Sequence, residues 1–242
     1  MSHAEAIEHL SEQIRRNQAV GERLARAEPE LEASLIRLQD WQRRRLDATY
    51  ADLRRSERHR PACEFFLDEL YGGRDFRERD RQLARVVPVM RRFLPDHLLM
   101  AVGDAMRLQA VSLEFDLDLA EVLVAVEAMD QPAYAAAYRS LGTWQGRREQ
   151  IELIEALGRV LDETVHRPMV HRLVRMMQGP AVLAGFGALQ GFLRRGLDAF
   201  AKMQGADHFL HTIISREMQA LEAMEAGDEW PFATWIGRGP AD

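Results

Sequence analysis

A chain of 242 residues with 47% hydrophobic and 29% charged side chains can bury a sizeable core, which excludes a disordered tail or a disulfide-dense miniprotein. The formal charge of −6 argues against a general nucleic-acid binder, and the single cysteine, Cys63, cannot close an internal disulfide, which points to a reducing, cytoplasmic setting. No apolar run reaches the roughly 18 residues of a membrane helix, and the N-terminal MSHAEAIEHLSEQIRR carries acids where a signal peptide carries an apolar stretch.

Alanine, leucine, arginine, glutamate and methionine dominate, all of them good helix formers, and alternating runs of valine, isoleucine and threonine are missing. The expected fold is all-α: a multi-helix bundle of about ten helices with short loops and no sheet. A polar helix over 3–27, anchored by Ile7, Leu10, Ile14, Val20 and Leu24, reads as an arm that packs weakly or packs on a second subunit. Pro29 opens a helix through residue 57, with Leu35, Leu38, Leu46, Thr49 and Leu53 on one stripe. Pro61 opens the next, which ends at Gly72–Gly73. An arginine-rich helix from 75 to 93, kinked at Pro88, stops before Pro95; Asp96 then caps a helix to about 109, and Ser112 begins another, to 129. Pro132 begins a short helix that Gly142 closes. Helices over 145–163 and 169–178 follow, then a long one from Pro180 to about 203 and a last one, capped by Asp207, to 226. The chain thus divides into an N-terminal helical arm, 1–28, a single helical-bundle domain, 29–227, and an aromatic C-terminal tail, 228–242.

The densest stretch is PACEFFLDELYGGRDFRERD. Cys63, Phe66, Leu67, Leu70 and Tyr71 make a broad apolar face with Phe65 beside it, as in a central helix. Gly72 can end that helix, and Asp75 with Glu78 completes a capping box for the next. This specifies a packed corner. The competing reading takes Glu64 and Asp68, four apart on one face, as paired carboxylates of a ligand site with Tyr71. Phe65-Phe66-Leu67-Asp68-Glu69-Leu70-Tyr71 resembles the signature of the FFLEELY-motif proteins, with Asp68 where the family name has glutamate. The later GPAVLAGFGALQGFLRRGLDAF is similar to the same family, so the resemblance covers most of 35–225. It implies a bacterial source and brings no activity with it.

Other constellations are sparse. ETVH, Glu163 to His166, is a single Glu-x-x-His, whereas helical di-iron sites need two such pairs and two more glutamates. His208 and His211, three apart on one helix face, become metal candidates if His166 or His171 joins them. GFGALQG, Gly185 to Gly191, lacks the strand and the spacing of a phosphate loop and fits close helix packing better. The only lysine is Lys202, which no motif supports as a Schiff-base former. No motif calls for a cofactor.

Two regions bear on partners. Between Arg37 and Arg60 there are eight arginines against four acids, with Trp41 and Tyr50 interleaved; this reads either as a solvated helix face or as a surface for an acidic partner or RNA. In the tail, Trp230, Phe232 and Trp235 must be covered, by the chain's own bundle or by a protein partner or second copy. The functional expectation is a non-enzymatic interaction or self-associating module. The alternative is a helical bundle that holds a metal, haem or small ligand, as an enzyme in one form of that reading.

Overall fold

A computed structural model describes residues 2–70, 95–167 and 187–239. These residues form ten helices and, among themselves, no strand: α1 His3–Ala25, α2 Pro29–Thr49, α3 Ala51–Arg55, α4 Arg60–Leu70, α5 Asp96–Val122, α6 Gln131–Leu141, α7 Trp144–Val165, α8 Gly187–Met203, α9 Asp207–Glu225 and α10 Ala233–Ile236. The all-α expectation holds. Among the described residues no helix is long and apolar enough to cross a membrane.

The local signals act where they stand. Ser2 caps α1 and Glu5 reaches back to the Ser2 N–H at 2.7 Å, a complete capping box. Asp130 caps α6 through the Ala133 N–H at 2.9 Å, and Pro132 sits in its first turn. Gly142 ends α6 with φ 61°, a left-handed conformation that costs glycine little.

Three expectations are corrected. The helix opened by Pro29 stops at Thr49, not at 57. The Thr49 carbonyl leaves the helical ladder and accepts from Arg216 Nη1 at 2.6 Å, so a partner on α9 replaces the next helical turn. The two helices expected over 96–109 and 112–129 are one, α5. Ser112 lies inside it, where its hydroxyl accepts from Gln150 Nε2 at 2.7 Å instead of capping a backbone N–H. Asp207 is the first residue of α9 and Ala206 holds the cap position, with no side-chain cap bond. The corner at Gly72–Gly73, the capping pair Asp75 and Glu78, Pro88 and the helix over 169–178 lie outside the described residues.

The central rod is α5. The first helix, α1, runs parallel to it: His3 meets Asp96 at 2.5 Å, His9 meets Asp104 at 2.9 Å, Arg16 meets Glu114 at 2.5 Å and Arg23 meets Asp118 at 2.9 Å. Ala6, Leu10 and Val20 are buried, so α1 packs within the chain. On α5, α2 and α7 run antiparallel. Ser34 Oγ donates to the Ala120 carbonyl at 2.8 Å and Gln42 Nε2 to Asp116 at 3.1 Å, while Arg147 Nη2 reaches the Phe115 carbonyl at 3.4 Å. Against α7 lies α9, again antiparallel, from Arg148–Glu225 to Gly158–Leu210.

Three apolar clusters result. The largest gathers Trp41, Leu117, Tyr134, Leu221 and Phe232. A second gathers Leu46, Cys63, Phe200, Phe209 and Leu210 around α4, α8 and the start of α9. A small third one, Ala6, Leu10, Leu99 and Met106, joins α1 to the first half of α5.

Candidate functional site

The most chemically loaded place in the described chain is a polar centre inside the largest cluster. Arg45 follows Leu38 and Trp41 on the apolar stripe of α2 and is 5% exposed. Its Nη1 lies 2.5 Å from Glu217 Oε1 on α9, and the Tyr50 hydroxyl donates to the same oxygen at 2.6 Å. The Arg45 guanidinium also covers the Phe232 ring, 4.3 Å from its centroid. Beside it, Tyr134 stacks on Trp41 at 4.6 Å and donates to the Tyr138 hydroxyl at 3.0 Å. Arg147 is held between Phe115 and Tyr138, 4.1 and 4.4 Å from their centroids.

The buried acid of this centre is Asp116. It accepts from Gln39 Nε2 at 3.3 Å and Gln42 Nε2 at 3.1 Å. Burial pushes its pKa up, and the nearby Arg147 charge only partly opposes this. Burial also raises Tyr50 and Tyr138 well above the ordinary phenol value; at Tyr50 the Glu217 charge adds to the effect. The centre is therefore packed by aromatic rings and its charged groups face one another across α2, α5, α7 and α9. Such a network fixes register between helices. Gln42 Oε1, Thr49 Oγ1 and Arg147 Nε have no hydrogen-bond partner among the described residues.

The sequence-predicted residues fall elsewhere. Glu64 is exposed on α4; Asp68 belongs to the same helix, but its side chain and all of Tyr71 lie outside the described residues. His208 and His211 are both exposed on α9, and His166 is exposed at the end of α7, 3.6 Å from Asp162. His171 lies outside the described residues. Among the described residues no three histidines, cysteines or acids gather in a metal-binding group. The imidazole that meets His208 is His59, at 5.4 Å between ring centroids. Burial first, then His208 and Arg58, hold His59 below its ordinary pKa. Burial pushes the Cys63 thiol up to about 12, so it is not a thiolate near neutral pH.

The basic stretch divides. Arg45 is buried, while Arg37, Arg43, Arg44, Arg54, Arg55, Arg58 and Arg60 are exposed. Trp41 and Tyr50 are 2% and 6% exposed, so the two rings interleaved among the arginines belong to the core and not to the basic face. Arg54 pairs with Asp47, and Arg58 donates to the carbonyls of Met203, Gln204 and Gly205. The tail packs on its own bundle. Phe232 is 1% exposed, its N–H donates to Gln131 Oε1 at 3.0 Å, and Gln131 Nε2 donates to the Gly237 carbonyl at 2.7 Å. Trp235 packs partly buried against the same core and Trp230 is half-buried.

Sequence reasoning missed Arg45, Asp116, Arg147, Glu217 and His59. A signal existed for the first: Leu38, Trp41, Arg45 and Thr49 share one helical stripe, so the arginine stands where an apolar residue is due.

No curated protein and no solved structure shows significant similarity to the chain. One family does: the sequence model of the family described as "Domain of unknown function (DUF8198)" matches residues 21–231, from the last turn of α1 to the tail. With most of its length so matched, the chain belongs to the DUF8198 family.

Proposed function

We propose that this is a non-enzymatic interaction module of the bacterial cytoplasm, and that its contact surface is the outer face of α2 continued by the arginines before α4. The observation that carries the reading is Ile36. It is 54% exposed, the most exposed large apolar side chain among those described. Ala33, Arg37, Asp40 and Arg44 extend the same outer stripe, all exposed. Arg37, Arg44, Arg55 and Arg60 make no ion pair among the described residues. The stretch from Arg37 to Arg60 carries +4, and with a chain total of −6 the rest carries −10. An apolar centre ringed by arginine suits an acidic protein surface, and the chain's own acidic remainder is one such surface.

A second feature supports the reading. Phe232 is occupied in the chain's own core, and Trp235 and Ile236 pack partly buried against it. The resemblance to FFLEELY-motif proteins belongs to the proposal too: Phe65–Tyr71 lies within the matched span. The buried thiol of Cys63 fits a reducing compartment.

The test compares wild type with an Ile36→Asp, Arg37→Glu, Arg44→Glu variant. Sedimentation at low and high salt reads self-association, and cross-linking in source-cell extract reads other partners. Loss of a salt-sensitive complex in the variant supports the proposal. Identical behaviour of the two proteins in both measurements sinks it.

A further inference from the structure

His59 and His208 come from distant parts of the sequence and meet where α4 begins beside the first turn of α9. Their ring centroids are 5.4 Å apart and their planes are inclined by 48°. His59 is 8% exposed, and its Nε2 is buried without a hydrogen-bond partner among the described residues. A buried ring nitrogen in that state has given up water with nothing in exchange, which is uncommon in folded chains. Phe209 stacks with His59 at 6.2 Å between centroids and 20° between planes. His208 is exposed. One imidazole is thus fixed by the core and the other stands at the surface.

The separation is one that shared ligation allows. A metal bound at about 2.0–2.1 Å from an imidazole nitrogen lies about 3.2 Å from the ring centre, so two rings on a tetrahedral ion sit about 5.2 Å apart, against about 4.5 Å for neighbouring octahedral positions. The observed 5.4 Å matches the tetrahedral case. The charge around the pair is mixed. Arg58 and Arg60 flank His59 in the sequence, and Arg58 donates to the carbonyls of Met203, Gln204 and Gly205, which engage its guanidinium. Asp207, its side chain 93% exposed, stands next to His208 at the start of α9, its carboxylate 3.5 Å from Arg159 Nη1.

We propose that His59 and His208 form an open two-histidine site for a borderline divalent cation of the zinc class, with water or an external ligand completing the coordination. The site is independent of the α2 surface.

The full chain, stripped with a chelator, is titrated with Co²⁺ and then Zn²⁺. One equivalent of Co²⁺ should give the visible absorption of a four-coordinate ion, and Zn²⁺ should bleach it. Zn²⁺ at 100 times its dissociation constant should raise the thermal midpoint by about 5–10 °C. His208→Asn, at an exposed position, should weaken binding at least tenfold and remove the Co²⁺ band. His59→Asn should do the same, with circular dichroism confirming its fold. His211→Asn, one turn along α9, should change neither. The proposal fails if wild type binds neither ion, if the band survives His208→Asn, or if His211→Asn abolishes it.

Discussion

The guanidinium of Arg45 ends 2.5 Å from the carboxylate of Glu217, 172 positions away in the sequence, and the Tyr50 hydroxyl closes on the same oxygen at 2.6 Å. The Arg45 side chain is 6% exposed and that of Glu217 20%. A pair this sheltered is costly to break and gives little when replaced whole. Glu217→Ala should therefore destabilise the chain by about 3–5 kcal/mol, because it leaves a buried guanidinium short of its counter-ion. The double replacement Arg45→Met, Glu217→Leu should fall within about 1 kcal/mol of wild type. Urea midpoints of Arg45→Met, Glu217→Leu and their combination measure the coupling, and additive losses would refute a coupled pair.

Phe232 packs against the Trp41–Tyr134 pair, at 6.2 and 6.0 Å between ring centroids. Phe232→Ala should cost about 3–5 kcal/mol. A chain ending at residue 227 should lose at least as much, since it also removes Trp235 and leaves Gln131 without Phe232 and Gly237. In native mass spectrometry the truncated chain should keep the wild-type assembly state. A change of assembly without a loss of stability would place the tail in an interface instead.

Asp116 sets a pH dependence. Burial raises its pKa above the ordinary 3.8, so the folded chain holds this proton more tightly than the unfolded one. Its contribution is complete below the unfolded value and is lost as the pH rises through the folded value. Asp116→Asn cannot ionise and escapes that loss. Relative to wild type, the variant should gain stability as the pH rises from the ordinary 3.8 through the raised value of the folded chain. Denaturation at a series of pH values checks this, and a gap that stays constant would show that Asp116 titrates as it does in water.

Gly158 on α7 faces Leu210 so closely that an added Cβ would strike the leucine methyls. Leu210 is 2% exposed and packs in the second cluster with Phe200 and Phe209. Gly158→Ala should cost about 1–3 kcal/mol despite its better helix propensity. Adding Leu210→Ala should recover part of that loss, a non-additivity that a double-mutant cycle reads directly. Full additivity would mean that α7 and α9 shift apart instead.

What the sequence determined by itself is what neighbours in the chain decide. Helix formers at a 3.6-residue rhythm gave an all-α chain. Pro29, Pro132 and Gly142 mark boundaries through their own φ preferences, so they act wherever they stand. Tertiary contacts decided the rest. Ser112 offered a cap but lies inside α5, because its hydroxyl found Gln150 on α7. The helix after Pro29 stops at Thr49 because Arg216 from α9 takes the freed carbonyl. Arg45 is buried because Glu217 and Phe232 receive it, and Phe232 is buried because Trp41 and Tyr134 surround it. His59 meets His208 through the packing of α4 and α9 on one cluster. A capping residue competes over a few positions, whereas these pairings span from 38 to nearly 200 positions, and only the folded chain brings such partners together.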